Sequence, residues 1–183
     1  MPEKVLSEVS EIVVDAEAIC DCVGRVAEEV RGSYEGVEAV KVIVLMEGAR
    51  RFGEDLFGRI GEDKFDLEYV NASSYYGGTQ SSGEVIVEGL EKEELCGREV
   101  LIVDDIYDTG LTLRKVLDEV KGMGAAGVRC CVLFVKDVEH NKEVEIDFEG
   151  MRVPDKFLIG YGLDYNQKYR ELDYVAALDV DKL

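Results

Sequence analysis

The sequence predicts a doubly wound α/β domain, a mainly parallel sheet with helices between its strands, and three observations carry that prediction. Short apolar runs of the buried-strand kind recur at Val40 to Met46, Val100 to Val103 and Val128 to Val135. Segments with helical spacing lie between strands. The run Val100-Leu101-Ile102-Val103 ends in Asp104-Asp105, charge at a strand's carboxyl end, where such a sheet binds its ligands.

Each element follows in order. From about Asp15 to Val30, Ile19, Val23, Val26, Ala27 and Val30 recur at helical spacing with acids between them, which predicts an amphipathic helix. After the strand Val40 to Met46 comes a glycine-containing break at Glu47-Gly48-Ala49 and a second helix through Phe52, Leu56 and Ile60. Phe65 to Val70 alternates as a strand. Ser73 to Gly83 holds three glycines and no hydrophobic period, the pattern of a long loop. Strands are expected at Val85 to Val87 and Val100 to Val103, then a helix over Leu113 to Lys121 closing in Gly122-Met123-Gly124. Val128 to Val135, Phe157 to Ile159 and Tyr174 to Leu178 complete the strands.

With 183 residues, 46% hydrophobic and 33% charged, the chain reads as a single domain spanning 1–183. Forty acids against 21 bases give a formal charge of −19, which disfavours nucleic acid and anionic membrane as partners. No apolar run reaches the length of about 20 residues that spans a bilayer, and the acidic start MPEKVLSEVS lacks signal-peptide character, so the expected location is cytoplasmic. The cysteines, Cys20, Cys22, Cys96, Cys130 and Cys131, are odd in number and have no CxxC spacing; reduced thiols, mostly core, are expected. His140, the only histidine, reads as a solvated turn residue.

The segment Val100-Leu101-Ile102-Val103-Asp104-Asp105-Ile106-Tyr107-Asp108-Thr109-Gly110-Leu111-Thr112 is the most informative. Amides and hydroxyls from Asp108 to Thr112, at a helix start, suit one phosphate group, while Asp104 and Asp105 suit sugar hydroxyls or a divalent metal with oxygen ligands. Neither GxxxxGK[ST] nor GxGxxG is present, so this is neither a P-loop nor a dinucleotide fingerprint.

A strand, two acids, two residues and then Asp-Thr-Gly resembles the signature of the phosphoribosyltransferases. Val135-Lys136, and Pro154-Asp155-Lys156-Phe157-Leu158-Ile159-Gly160-Tyr161-Gly162-Leu163-Asp164-Tyr165 followed by Arg170, resemble the hypoxanthine-guanine branch, in order from about Val40 to Leu178. The resemblance implies the type I phosphoribosyltransferase fold, a doubly wound mainly parallel sheet with a small hood and a mobile lid loop. It implies joining a 6-oxopurine to 5-phosphoribosyl pyrophosphate with Mg2+, and a homodimer or homotetramer. Asp104, Asp105, Ile106, Tyr107, Asp108, Thr109, Gly110, Leu111 and Thr112 would bind ribose and the 5′-phosphate, with Asp108 the general base near purine N7. Lys136 would donate to the 6-oxo group, Phe157 stack on the base, and Leu158 read its exocyclic edge through the backbone. Asp164, beside the base, would join Asp104 and Asp105 as a metal contact. Glu47, Gly48 and Arg170 fall at the pyrophosphate, although many relatives carry a lysine in place of Glu47, which leaves the main-chain amides as the contact. Ser74-Tyr75 matches the lid.

Two other classes share parts of this pattern. A non-catalytic nucleotide-binding regulator on the same fold keeps the phosphate loop, but the net charge opposes an RNA-binding role. A phospho-accepting receiver also ends a strand in Asp-Asp, yet the later strand-end Asp, Thr and Lys do not follow in the needed order. A xanthine- or pyrimidine-specific transferase differs only in the pocket.

Overall fold

In the computed structural model, which describes residues 9–74, 85–88, 90, 95–138 and 144–179, β1 (Val9–Val14) leads into α1 (Ala16–Ser33). Asp15 caps that helix by accepting from Ala18 N at 2.9 Å, as an N-cap carboxylate does. There follow β2 (Val40–Met46), α2 (Arg50–Ile60), β3 (Phe65–Ser74), β4 (Val85–Glu88), β5 (Glu99–Tyr107), α3 (Leu111–Gly122), β6 (Gly127–Lys136), β7 (Phe148–Val153), β8 (Leu158–Ile159) and β9 (Val175–Leu178).

The larger sheet runs β4-β3-β2-β5-β6-β7. Its strands are parallel from β3 to β7, and β4 is antiparallel on the edge. Alternation within strands serves both faces. Val42, Val44, Leu101 and Val103 pack with Val23 and Val26 of α1 and Phe52 and Leu56 of α2, whereas Ile43, Leu45, Val100 and Ile102 pack with Leu113, Val116 and Val120 of α3. Burial on both faces is why these strands read as continuous apolar runs. Lys41 is the exception within β2, buried yet paired across to Glu68 at 2.9 Å and Asp66 at 3.2 Å on β3.

From β2 the chain moves outward to β3, and from β5 it moves the other way to β6 and β7, so the direction of winding switches between β2 and β5. A crevice outside the carboxyl ends of those two strands is the expected ligand position. A second sheet, β1-β9-β8, forms the small hood.

Several expectations need correction. Val100 to Val103 does not end at the acids: β5 continues through Asp104, Asp105 and Ile106 to Tyr107 because β6 keeps pairing alongside, up to Tyr107 opposite Val135. Ser73 and Ser74 belong to β3, where they pair with Ile86 and Val85, rather than to the loop. Strands β1 and β7 were not anticipated; polar residues such as Ser10, Glu11, Glu149 and Arg152 interrupt their apolar pattern. Cys22, Cys130 and Cys131 are core, while Cys20 and Cys96 are exposed. His140 lies outside the described residues. No helix among the described residues is long and apolar enough to cross a membrane.

Candidate active site

The loop after β2 and the segment from Asp104 to Leu113 line one 290 Å³ cleft, with Met46, Gly48 and Ala72 on one side and the β5–α3 turn on the other. Asp105 Oδ1 accepts from Ile106 N at 2.8 Å and Asp104 Oδ1 from Asp105 N at 3.0 Å. Burial, then the adjacent Asp105 carboxylate, holds Asp104 well above the usual carboxylate range. Asp105 is raised as well, by burial first, against the lowering influence of its hydrogen bonds and Arg170.

Gly110 takes the left-handed conformation at φ 79°, and a Cβ there would meet the Tyr107 ring at 2.7 Å, which accounts for glycine at the turn. No side chain at Gly110 caps α3, and its first turn carries no acid. Such a start leaves the helix's positive end to an anion. Thr109 Oγ1 accepts weakly from Leu111 N at 3.5 Å.

Parallel pairing of Tyr107 with Val135 brings the next residues of each strand, Asp108 and Lys136, to the same level. Lys136 Nζ lies 2.9 Å from Asp108 Oδ2 and 3.3 Å from Asp155 Oδ1. Partial burial disfavours the ammonium, but the two carboxylates outweigh it and raise its pKa. Asp155 is a member of this group that reasoning from sequence passed over, although it stood inside the Pro154-Asp155-Lys156-Phe157 run.

Phe157 is 44% exposed and meets Tyr165 edge to face at 5.6 Å; its carbonyl accepts from Leu178 N. Leu158 starts β8 and is buried. Gly48 is pressed between two partners: a Cβ on it would lie 1.8 Å from Asp105 Oδ2, and a Cβ on Gly162 would lie 2.2 Å from the Gly48 carbonyl oxygen. The Met46–Glu47 peptide is cis and Glu47 is exposed. Arg170 donates to the Gly162 carbonyl at 2.6 Å and pairs with Asp164 at 2.8 Å, while Asp164 Oδ2 also accepts from Gln167 N. Arg170 Nε is buried without a hydrogen-bond partner. Tyr75 lies outside the described residues, and Ser74 is the last residue of β3.

Among the described residues no three His, Cys, Asp or Glu side chains converge as a metal cage. Magnesium fits the site in another way, since it keeps several waters and takes one or two carboxylates together with substrate oxygens. Two adjoining half-buried acids with raised pKa values are a place where a cation relieves repulsion.

Acids and a helix start without a side-chain cap at the winding switch, with a separate small sheet, define a class, the phosphoribosyl-transferring α/β domains, and residues 9–166 match the phosphoribosyl transferase domain family. The branch follows from individual relatives. The chain is 31% identical over 172 residues to the hypoxanthine-guanine phosphoribosyltransferase of Streptococcus pneumoniae strain R6, covering 94% of each. It is 32% identical over 176 residues to the bifunctional protein TilS/HprT of Listeria monocytogenes serotype 4b, spanning 96% of this chain but 27% of that longer protein. A crystal structure of a hypoxanthine phosphoribosyltransferase from Staphylococcus aureus superposes with a TM-score of 0.88 at 27% identity, covering 99% of this chain and 97% of that one. The chain belongs to the hypoxanthine-guanine phosphoribosyltransferase family.

Proposed function

We propose that the chain, acting as one domain over 1–183, transfers the 5-phosphoribosyl group of phosphoribosyl pyrophosphate to hypoxanthine or guanine, yielding IMP or GMP and pyrophosphate in purine salvage. The observation that carries this reading is the Lys136–Asp108 pair at 2.9 Å beside the strand-end acids. A 6-oxopurine presents C6=O and N7–H on one edge, and an ammonium next to a carboxylate is the complementary donor and acceptor.

The purine N9 lone pair attacks the anomeric carbon, the bond from that carbon to pyrophosphate breaks with its electron pair leaving on oxygen, and the N7 proton passes to Asp108. Residues Asp108 to Thr112 hold the 5′-phosphate at the start of α3. Phe157 covers the base and the Leu158 backbone reads its far edge. Gly48, with Glu47 beside it, and Arg170 receive the pyrophosphate. Asp104 and Asp105 would hold magnesium, which when bound supplies positive charge against the diphosphate, and Asp164, which does not converge with them and pairs with Arg170, would contact it only through water or substrate oxygens. The same family reading supports a cytoplasmic homodimer or homotetramer.

Pyrophosphate release is measured with phosphoribosyl pyrophosphate, magnesium and each base in turn. Hypoxanthine or guanine supports turnover and adenine and uracil do not. Turnover with pyrimidines alone, or with no base at all, overturns the proposal.

A further inference from the structure

Tyr161 sits in the middle of the segment that closes over the β2 loop, with φ at 48°, a region that residues bearing side chains rarely adopt. Gly160 and Gly162 flank it at φ 99° and 98°, and Gly162 presses backbone to backbone on Gly48. Tyr161 N donates to the Leu172 carbonyl at 2.9 Å, and the side chain is buried. Strained backbone of this kind persists only where its surroundings hold it.

The surroundings here are α2. Tyr161 Oη donates to Asp55 Oδ2 at 2.5 Å, and the Arg51 guanidinium stacks 4.8 Å from the ring centroid. Arg51 also donates to the carbonyls of Leu172 at 2.6 Å and Glu171 at 3.2 Å. Arg51 and Asp55 stand four residues apart, so one helix face presents both. The helix that begins two residues after Gly48 thus grips, one turn further on, the segment that covers Gly48. Tyr161 itself faces a separate 270 Å³ cavity with Ile19, Cys20 and Val23, away from the ligand cleft.

We propose that Tyr161, clamped by Asp55 and Arg51, is a positioning residue for pyrophosphate: it sets the separation between the Gly48 backbone and the Arg170 guanidinium. Arg170 is tied to Gly162 in both directions, through its guanidinium to the Gly162 carbonyl and through its own carbonyl from Gly162 N at 3.0 Å. A shift of Tyr161 therefore moves Gly162 and Arg170 together relative to Gly48. At the end proposed to read the base, Lys136 pairs instead with Asp108 and Asp155. The inference rests on the proposed transferase reaction.

The test compares Tyr161→Phe, which removes the hydrogen bond but keeps the ring under Arg51, with Asp55→Asn, whose amide oxygen still accepts from Tyr161, and Asp55→Ala, which cannot. Tyr161→Phe and Asp55→Ala raise KM for phosphoribosyl pyrophosphate by about five- to tenfold, the scale of one lost hydrogen bond, with KM for hypoxanthine unchanged. Asp55→Asn stays near the parent value. Unchanged kinetics in Tyr161→Phe, an equal rise in both KM values, or identical losses in Asp55→Asn and Asp55→Ala overturn the proposal. If Tyr161→Phe fails to fold, the two Asp55 variants decide.

Calorimetric titration with magnesium pyrophosphate separates the two claims. A parent protein that binds pyrophosphate but transfers to no base refutes the reaction, and weaker binding by the tyrosine variant then still supports the positioning role. Equal binding by parent and variant, or none by the parent, overturns it.

Discussion

Lys136 and Asp108 are neighbours because β5 and β6 pair in parallel up to Tyr107 and Val135, and the residue after each bears the charge. The two groups proposed to read one purine edge are bonded to each other at 2.9 Å. Their spacing is therefore a property of sheet register rather than of loop conformation.

Replacing Asp108 by Asn leaves Lys136 with Asp155 as partner at 3.3 Å, so the ammonium stays in place while the proton acceptor is lost. Turnover is expected to fall about 10²–10⁴-fold, the usual share of a general base, with phosphoribosyl pyrophosphate affinity retained. Steady-state kinetics check this, with pre-steady-state bursts to show whether chemistry or product release limits the rate. Full turnover in the variant removes Asp108 from proton transfer.

Lys136→Met removes the donor to the 6-oxo group. Adenine carries an amino group at that position and meets the ammonium donor to donor, a mismatch that can reach about 10⁴–10⁵ in discrimination. The variant should use hypoxanthine poorly and show a much smaller preference over adenine in kcat/KM. Since the partner carboxylates raise the Lys136 pKa, it stays charged through neutral pH, and an acidic or neutral limb in the pH profile must come from another group.

Asp104 gives a prediction on stability. Its folded-state pKa is raised by burial and by Asp105, so the folded protein holds that proton more tightly than the unfolded chain does. The corresponding stability is present at low pH and lost as pH rises through the folded pKa. Asp104→Asn should therefore raise Tm at neutral pH, and the gain should shrink as the pH is lowered and the parent Asp104 takes up its proton. Differential scanning calorimetry over a descending pH series checks it; a lowered Tm at neutral pH counts against the reading. The same variant should respond less to magnesium with phosphoribosyl pyrophosphate.

Gly48→Ala puts a methyl group where Asp105 Oδ2 stands, and that carboxylate can turn aside more easily than backbone can. The cost should fall on function: phosphoribosyl pyrophosphate affinity is expected to drop by about tenfold or more with little change in Tm. Gly162→Ala meets a backbone carbonyl instead and needs φ 98°, so its Tm should fall as well. Equal Tm losses in the two variants would contradict the distinction.

Much of the fold was legible because strands buried on both faces leave long apolar runs and the helices keep their period. Val40 to Met46 was bounded as observed for that reason. The continuation of β5 through Asp104 and Asp105 was not legible, since it depends on pairing with β6, and β1 and β7 were hidden by polar residues facing outward. Of the site, the Asp108 to Thr112 turn could be read from local chemistry alone. The Lys136–Asp108 contact, the engagement of Arg170 by Asp164, and the pressure of Gly162 on Gly48 each join residues distant in sequence, and no spacing rule reports them.

The hood is made from the two extremes of the described chain, Val9 opposite Leu178 and Val14 opposite Val175, with β8 alongside. A ribosome that has released everything through β7 has already delivered the whole parallel sheet, the acids and the turn proposed to bind phosphate, yet β1 must wait for β9 before it has a partner. Pairing at such separation is the slow kind. Synthesis interrupted before Val175 would thus yield a sheet with its Asp108–Thr112 turn in place but without the strand that anchors the Phe157 carbonyl, so completion of the side proposed to cover the base reports that the ribosome has passed that point.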